Sequence, residues 1–103
     1  MYVVVLVTAK DKKEAQKISS GLIKAKLAAC VNIIDKVDSV FFWAGKIDQA
    51  KESLLVIKSR KEKLSQIIKL VKSLHSYEVP EIIAIPIIAG DKLYLRWINA
   101  ALR

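Results

Sequence analysis

One cysteine and one histidine stand among 103 residues: Cys30 in AACVNI and His75 in LHSYEVPEIIAIPI. A thiolate is a soft ligand suited to Cu(I), and imidazole suits copper, zinc or nickel. With Tyr77 and either Glu78 or Glu81, His75 has the makings of a small polar pocket. Each residue also has a plain structural role open to it. A lone cysteine between alanine and valine packs as a small hydrophobe. A histidine after a helix C-terminus caps carbonyls and gains from the helix dipole. Neither a CxxC nor an HxxxH spacing occurs, so one chain cannot build an ordinary structural zinc site. A metal site must therefore be sparse or shared between copies of the chain. No glycine-rich phosphate loop, nucleophile elbow or serine–histidine–acid set is present. No catalytic residue is assigned, and enzymatic activity is not expected.

The elements that position these residues follow from periodicity. YVVVLVTA (2–9) is a continuous apolar run, as in a central strand covered on both faces. Asp11 and Glu14 have capping-box spacing, and Ala15, Ile18, Leu22 and Ala25 carry a helix to about Lys26. Gly21 within it marks a point of close packing. Residues 28–43 read as a strand with a bulge at Asp35 and Lys36. Ala44, Gly45 and Lys46 turn the chain into a partner strand, IDQAKESLLVIKS. The outer half of this hairpin carries Phe41, Phe42, Trp43 and Ile47, far from any single core, and needs a neighbouring surface. Ser59 and Glu62 repeat the capping-box spacing ahead of Leu64, Ile67, Ile68, Val71 and Leu74, a helix that ends near His75. Residues 80–89 read as a fourth strand. Asp91 then caps a short final helix through Tyr94, Trp97, Ile98 and Ala101.

The order is β-α-β-β-α-β-α, which predicts one α+β domain over residues 1–103. It has the ferredoxin-like βαββαβ plan plus a C-terminal helix. Right-handed crossovers put both long helices on one face of a four-stranded antiparallel sheet, with the fourth strand at an edge. Pro80 and Pro86 are an even number of residues apart, so their missing N–H groups face the same way, off the ladder. There they also discourage strand addition. The second sheet face is left bare. Hydrophobic residues make up 53% of the chain, and a domain of this size hides only about two thirds of its unfolded surface. The apolar excess belongs in an interface, and the composition reads as an oligomer.

No apolar run approaches the roughly 18 residues of a membrane span, and YVVVLVTA lacks the flanks of a signal peptide. A single cysteine fits a reducing, cytoplasmic setting. The net charge of +8 attracts anions. Its lysines are spread along the chain and cluster at helix starts among acids, which reads as solvated helix faces keeping an apolar protein soluble. RNA-recognition modules with the same element order display stacking aromatics on their central strands, and VVVLV and LLVI offer none. Specific nucleic-acid recognition is not expected, which leaves only weak, salt-sensitive, sequence-blind association.

Four segments, KLAACVNI (26–33), FFWAGKI (41–47), HSYEVPEIIAIPI (75–87) and YLRWINAALR (94–103), together resemble the CutA divalent-cation-tolerance family over essentially the whole chain. The resemblance implies a tight homotrimer, similar in architecture to PII-type signalling proteins, with the long hairpin packed between chains. It also implies a link to copper and other divalent ions in metal response. By carry-over, Cys30, His75 and Glu81 are the candidate metal residues, while Trp43, Lys46, Lys58 and Tyr77 line an intersubunit cleft. Ser76 stands where the family has proline, and Phe41 where a tyrosine is common. Ala44, Ala50 and Ser53 replace frequent charges. The PII-like architecture leaves a second reading open, a small-molecule or nucleotide sensor whose cleft holds an anionic ligand.

Overall fold

A computed structural model describes residues 1–103. Its elements are β1 (Tyr2–Ala9), α1 (Lys12–Lys24), β2 (Cys30–Trp43), β3 (Lys46–Arg60), a 3-10 turn (Lys61–Lys63), α2 (Leu64–Leu74), β4 (Ile82–Pro86) and α3 (Lys92–Ala101). The sheet order is β2-β3-β1-β4 with every pair antiparallel, the arrangement expected from the βαββαβ order.

Alternation in β1 sets the core. Val3, Val5, Val7 and Ala9 are buried, together with Leu55 and Ile57 of β3. They face Ala15, Ile18 and Leu22 of α1 and Ile67 and Val71 of α2. Each large aliphatic group removed from water here contributes about 1.5–3 kcal/mol. The two helices approach closely at Gly21, where an added Cβ would stand 3.0 Å from Leu74 Cδ1. Asp11 caps α1, accepting from the Glu14 N–H at 2.8 Å. Glu14 does not return that bond to Asp11 but takes the Lys10 N–H at 3.1 Å.

The second helix begins differently from its sequence spacing. Ser59 is still in β3, and strand alternation turns its hydroxyl inward to donate to the Leu27 carbonyl at 2.6 Å. Glu62 instead pairs with Arg60 and the terminal amine. The 3-10 turn thus replaces the expected capping box, and α2 has no side-chain cap.

The bulge falls where expected, between Ile34 and Val37, with Lys36 at φ 59°. A two-residue turn joins Trp43 to Lys46, with Ala44 at φ 53° and Gly45 at φ 77°. Two successive positive φ values are what a twisted hairpin requires. Beyond the sheet the hairpin projects: Phe42 is 72% and Trp43 66% exposed, and the molecule measures 44 × 26 × 22 Å.

The fourth strand is shorter than residues 80–89. It pairs with Val3–Val7 and stops at Pro86, because β1 begins at Tyr2 and leaves no ladder beyond Ile87. Pro80 lies outside the strand. Ile87 N–H donates to the Tyr2 carbonyl at 3.0 Å, so alternation points the Pro86 nitrogen away from β1. The edge-proline explanation holds for Pro86 alone.

On the second sheet face, α3 covers the end near Tyr2. Ile98 and Leu102 are buried, and Arg60 donates to Asn99 Oδ1 at 2.7 Å while lying 5.3 Å from the Tyr2 ring centre. The remainder of that face is uncovered within one chain. Val4, Leu6, Leu54 and Val56 are half-buried, and Ile34, Ile83 and Ile85 are about half exposed.

Candidate functional site

The segment between α2 and β4 carries most of the chemistry-bearing residues, and a chain of hydrogen bonds holds it. His75 leaves the helix in an extended conformation, φ −83° and ψ 142°. That turns its ring under the end of β1, where the side chain is fully buried. Nε2 lies 2.7 Å from the Thr8 carbonyl oxygen, and Nδ1 accepts the Tyr77 N–H at 3.0 Å. Those partners select the neutral ring with its proton on Nε2. Neither of the two sequence readings describes this role. His75 does not cap its own helix, and it offers no free nitrogen to a metal. It joins the end of β1 to the loop before β4.

Glu14 closes the other side. Its two oxygens accept the Lys10 N–H at 3.1 Å and the Ser76 N–H at 3.0 Å. Burial raises its pKa, but the bonds from Ser76 and Lys10 outweigh that and hold the carboxyl below its ordinary range. The 3.6 Å gap between Glu14 Oε1 and His75 Nδ1 is too long for a hydrogen bond.

The Tyr77 ring packs against the His75 ring at 4.8 Å between centres, tilted by 44°, and its hydroxyl donates to Glu52 Oε2 at 2.9 Å. Burial, then the Glu52 carboxylate, push the phenol up to about 12. Beside Glu52, Ser53 donates to Asp35 Oδ1 at 2.8 Å in the bulge of β2. The Ser53 bond and the Lys36 N–H lower the Asp35 pKa. Glu14, His75, Tyr77, Glu52 and Asp35 therefore tie four elements together at one end of the sheet. Glu52 was not singled out from sequence. Its signal is alternation: it shares a face with Leu54 and Val56, which makes it an acid on an otherwise apolar stripe.

Cys30 lies elsewhere. It is half-buried at the start of β2, opposite Lys58, which is in turn opposite Val4. Thr8, the partner of His75, is four residues further along β1, about 13 Å away. Tyr94 of α3 adjoins the thiol, and burial followed by this neighbour raises the phenol's pKa. Glu81 is exposed just before β4. Strand direction thus separates Cys30, His75 and Glu81, and no cluster of three His, Cys, Asp or Glu side chains in one chain is arranged to hold a metal ion.

The four cleft residues are spread likewise. Trp43 pairs with Lys46 at the hairpin tip. Lys58 is twelve residues along β3, about 40 Å away, where its amine donates to Asn32 Oδ1. Tyr77 is anchored between them at Glu52. Only separate copies of the chain can bring a hairpin tip beside Lys58 or Tyr77.

Comparison with known proteins places this geometry. The profile of the CutA1 divalent ion tolerance protein family matches residues 3–101. A chloroplastic CutA 1 protein of Oryza sativa is 42% identical over 101 residues, 98% of this chain and 57% of the relative. The divalent-cation tolerance protein CutA of Pectobacterium atrosepticum is 38% identical over 101 residues, 98% of this chain and 92% of that protein. The chain spans little more than half the length of the rice relative and of its Arabidopsis thaliana counterpart. Among solved structures, the periplasmic divalent cation tolerance protein CutA of Archaeoglobus fulgidus superposes with a TM-score of 0.97 at 42% identity, covering 100% of both chains. CutA1 from Oryza sativa gives 0.96 at 41% identity, over 99% of this chain and 94% of that one. No helix here is long and apolar enough to cross a membrane.

Proposed function

The chain belongs to the CutA1 divalent ion tolerance family, and from that premise we propose that it acts as a homotrimer binding copper or another divalent cation in metal response. The observation that carries this reading is the second sheet face. Ile34, Ile83 and Ile85 stay about half exposed there, and a hairpin of exposed aromatics projects beside it. Copies of the same chain are the economical cover for both, since each copy offers the surface the other lacks. Cys30 borders that face as a half-buried free thiol and supplies a soft ligand. Glu81, exposed on the loop that His75 holds, supplies a carboxylate from another copy. His75 acts by fixing that loop. The free thiol suits a cytoplasmic, reducing setting.

Light scattering and copper competition test this together. The purified protein is expected at three times 11.5 kDa and to hold copper more tightly than magnesium. Cys30→Ala is expected to weaken copper at least about tenfold, the equivalent of one lost strong ligand. A stable single-chain mass defeats the assembly, and copper affinity unchanged in a Cys30→Ala, Glu81→Gln variant defeats the ligand assignment. A nucleotide that raises the melting temperature in a parallel screen would favour the small-molecule-sensing alternative.

A further inference from the structure

The positive charge, scattered along the sequence, is gathered by the fold. Residues 10–26 and 61–74 form the helix layer and its flanking turns, and they hold ten lysines against three acids. Seven of the eight net charges lie there, since the rest of the chain has eight basic and seven acidic residues. All three acids are occupied. Asp11 caps α1, Glu14 is buried on two N–H groups, and Glu62 holds Arg60 and the terminal amine. None of the ten lysines is paired with an acidic side chain, and Lys26 donates to the Arg103 main-chain oxygen at 2.7 Å.

Because Ala15, Ile18 and Leu22 turn inward, the stripe Lys13, Lys17, Ser20, Lys24 turns outward on α1. Ile67 and Val71 do the same for α2 and leave Lys69 and Lys72 exposed. The helices touch at Gly21, Leu70 and Leu74, so the two stripes form one face. It lies on the other side of the sheet from the uncovered face, so covering that face does not by itself bury it.

The character of the face narrows its partner. Ile23 is its single exposed large apolar group, and it has no aromatic. A surface that seats in lipid carries apolar anchors, and one that grips single strands carries stacking rings. This face has neither. All ten cations are lysine, point charges without the planar fork that reads base edges. Along α1 the rise from Lys13 to Lys17 is about 6 Å and from Lys17 to Lys24 about 10 Å. Lysines set at such intervals along one rod can each meet a separate phosphate of a duplex backbone.

We propose that the outer face of α1 and α2 docks the phosphate backbone of double-stranded nucleic acid without regard to sequence. The test is anisotropy of a labelled mixed-sequence duplex titrated with the full chain across a salt series. Binding is expected at about 50 mM salt, with a log–log slope near −5 for five to six neutralised phosphates. A Lys13→Glu, Lys17→Glu, Lys24→Glu variant is expected to lose at least about tenfold in affinity and to flatten the slope by about three. Lys36→Glu, Lys51→Glu, Lys92→Glu makes the same charge change elsewhere and should lose far less. Equal losses in the two variants would reduce the effect to net charge and overturn the proposal. So would no duplex binding at about 50 mM salt, or tighter binding to phosphatidylserine-containing vesicles than to the duplex.

Discussion

Tyr77 donates its phenolic hydrogen to Glu52 across 2.9 Å, fastening the loop after α2 to the middle of the long strand β3. Glu52 is nearly buried, 8% exposed, so its carboxylate depends on that donor. Tyr77→Phe is expected to cost about 1–3 kcal/mol at neutral pH, as a charged acceptor loses its partner. The pH dependence has a definite sign. A phenol raised to about 12 against about 10 when unfolded adds stability that is complete below pH 10. That stability is lost as pH climbs towards 12. Urea titrations of both proteins should therefore converge in this window; a constant difference would contradict the bond.

Glu14 gives the opposite limb. Its carboxyl is held below the ordinary range by hydrogen bonds that outweigh burial, so its contribution is present above about pH 4.5 and lost as pH falls. Glu14→Gln replaces one accepting oxygen by an amide facing an N–H donor, which should cost about 1–3 kcal/mol near neutrality. The variant's acid unfolding should also be less steep. An unchanged acid limb would place the sensitivity elsewhere.

For His75 the structural role and the ligand role part company. His75→Ala orphans the Thr8 carbonyl and the Tyr77 N–H, an expected loss of about 2–4 kcal/mol. In the folded variant at low temperature, copper affinity should change far less than in Cys30→Ala. A larger copper effect from His75 than from Cys30 would reverse the assignment.

The hairpin turn invites a stabilising change. Ala44 sits at φ 53°, which costs an alanine but suits asparagine. Ala44→Asn should raise stability by about 0.5–1 kcal/mol, read as a shift in the urea midpoint at constant slope. Gly45→Ala, at φ 77°, should lower it.

Much of the fold is legible because its signals are local. The continuous β1 run, the i, i+3, i+4 stripes of α1 and α2, the bulge at Lys36 and the Ala44–Gly45 turn all appear where their residues place them. The misreadings are long-range. Residues 87–89 look like strand, but Tyr2 is the last rung β1 can offer. Ser59 has the spacing of a cap, yet its side of β3 faces the Leu27 carbonyl. His75 has the sequence position of a cap or a ligand, yet its partners are Thr8, 67 residues earlier, and the N–H of Tyr77. The lysines looked dispersed because the two helices that collect them are nearly 40 residues apart in sequence.

The overhanging hairpin has one more consequence. Its outer rungs, from Val40–Gln49 to Trp43–Lys46, are flanked by no third strand and no helix of their own chain. Their amides owe any lasting protection to contacts from outside it. Deuterium uptake at these rungs should therefore quicken on dilution while the β1–β3 ladder keeps its pace, making the hairpin a built-in reporter of how many copies are together.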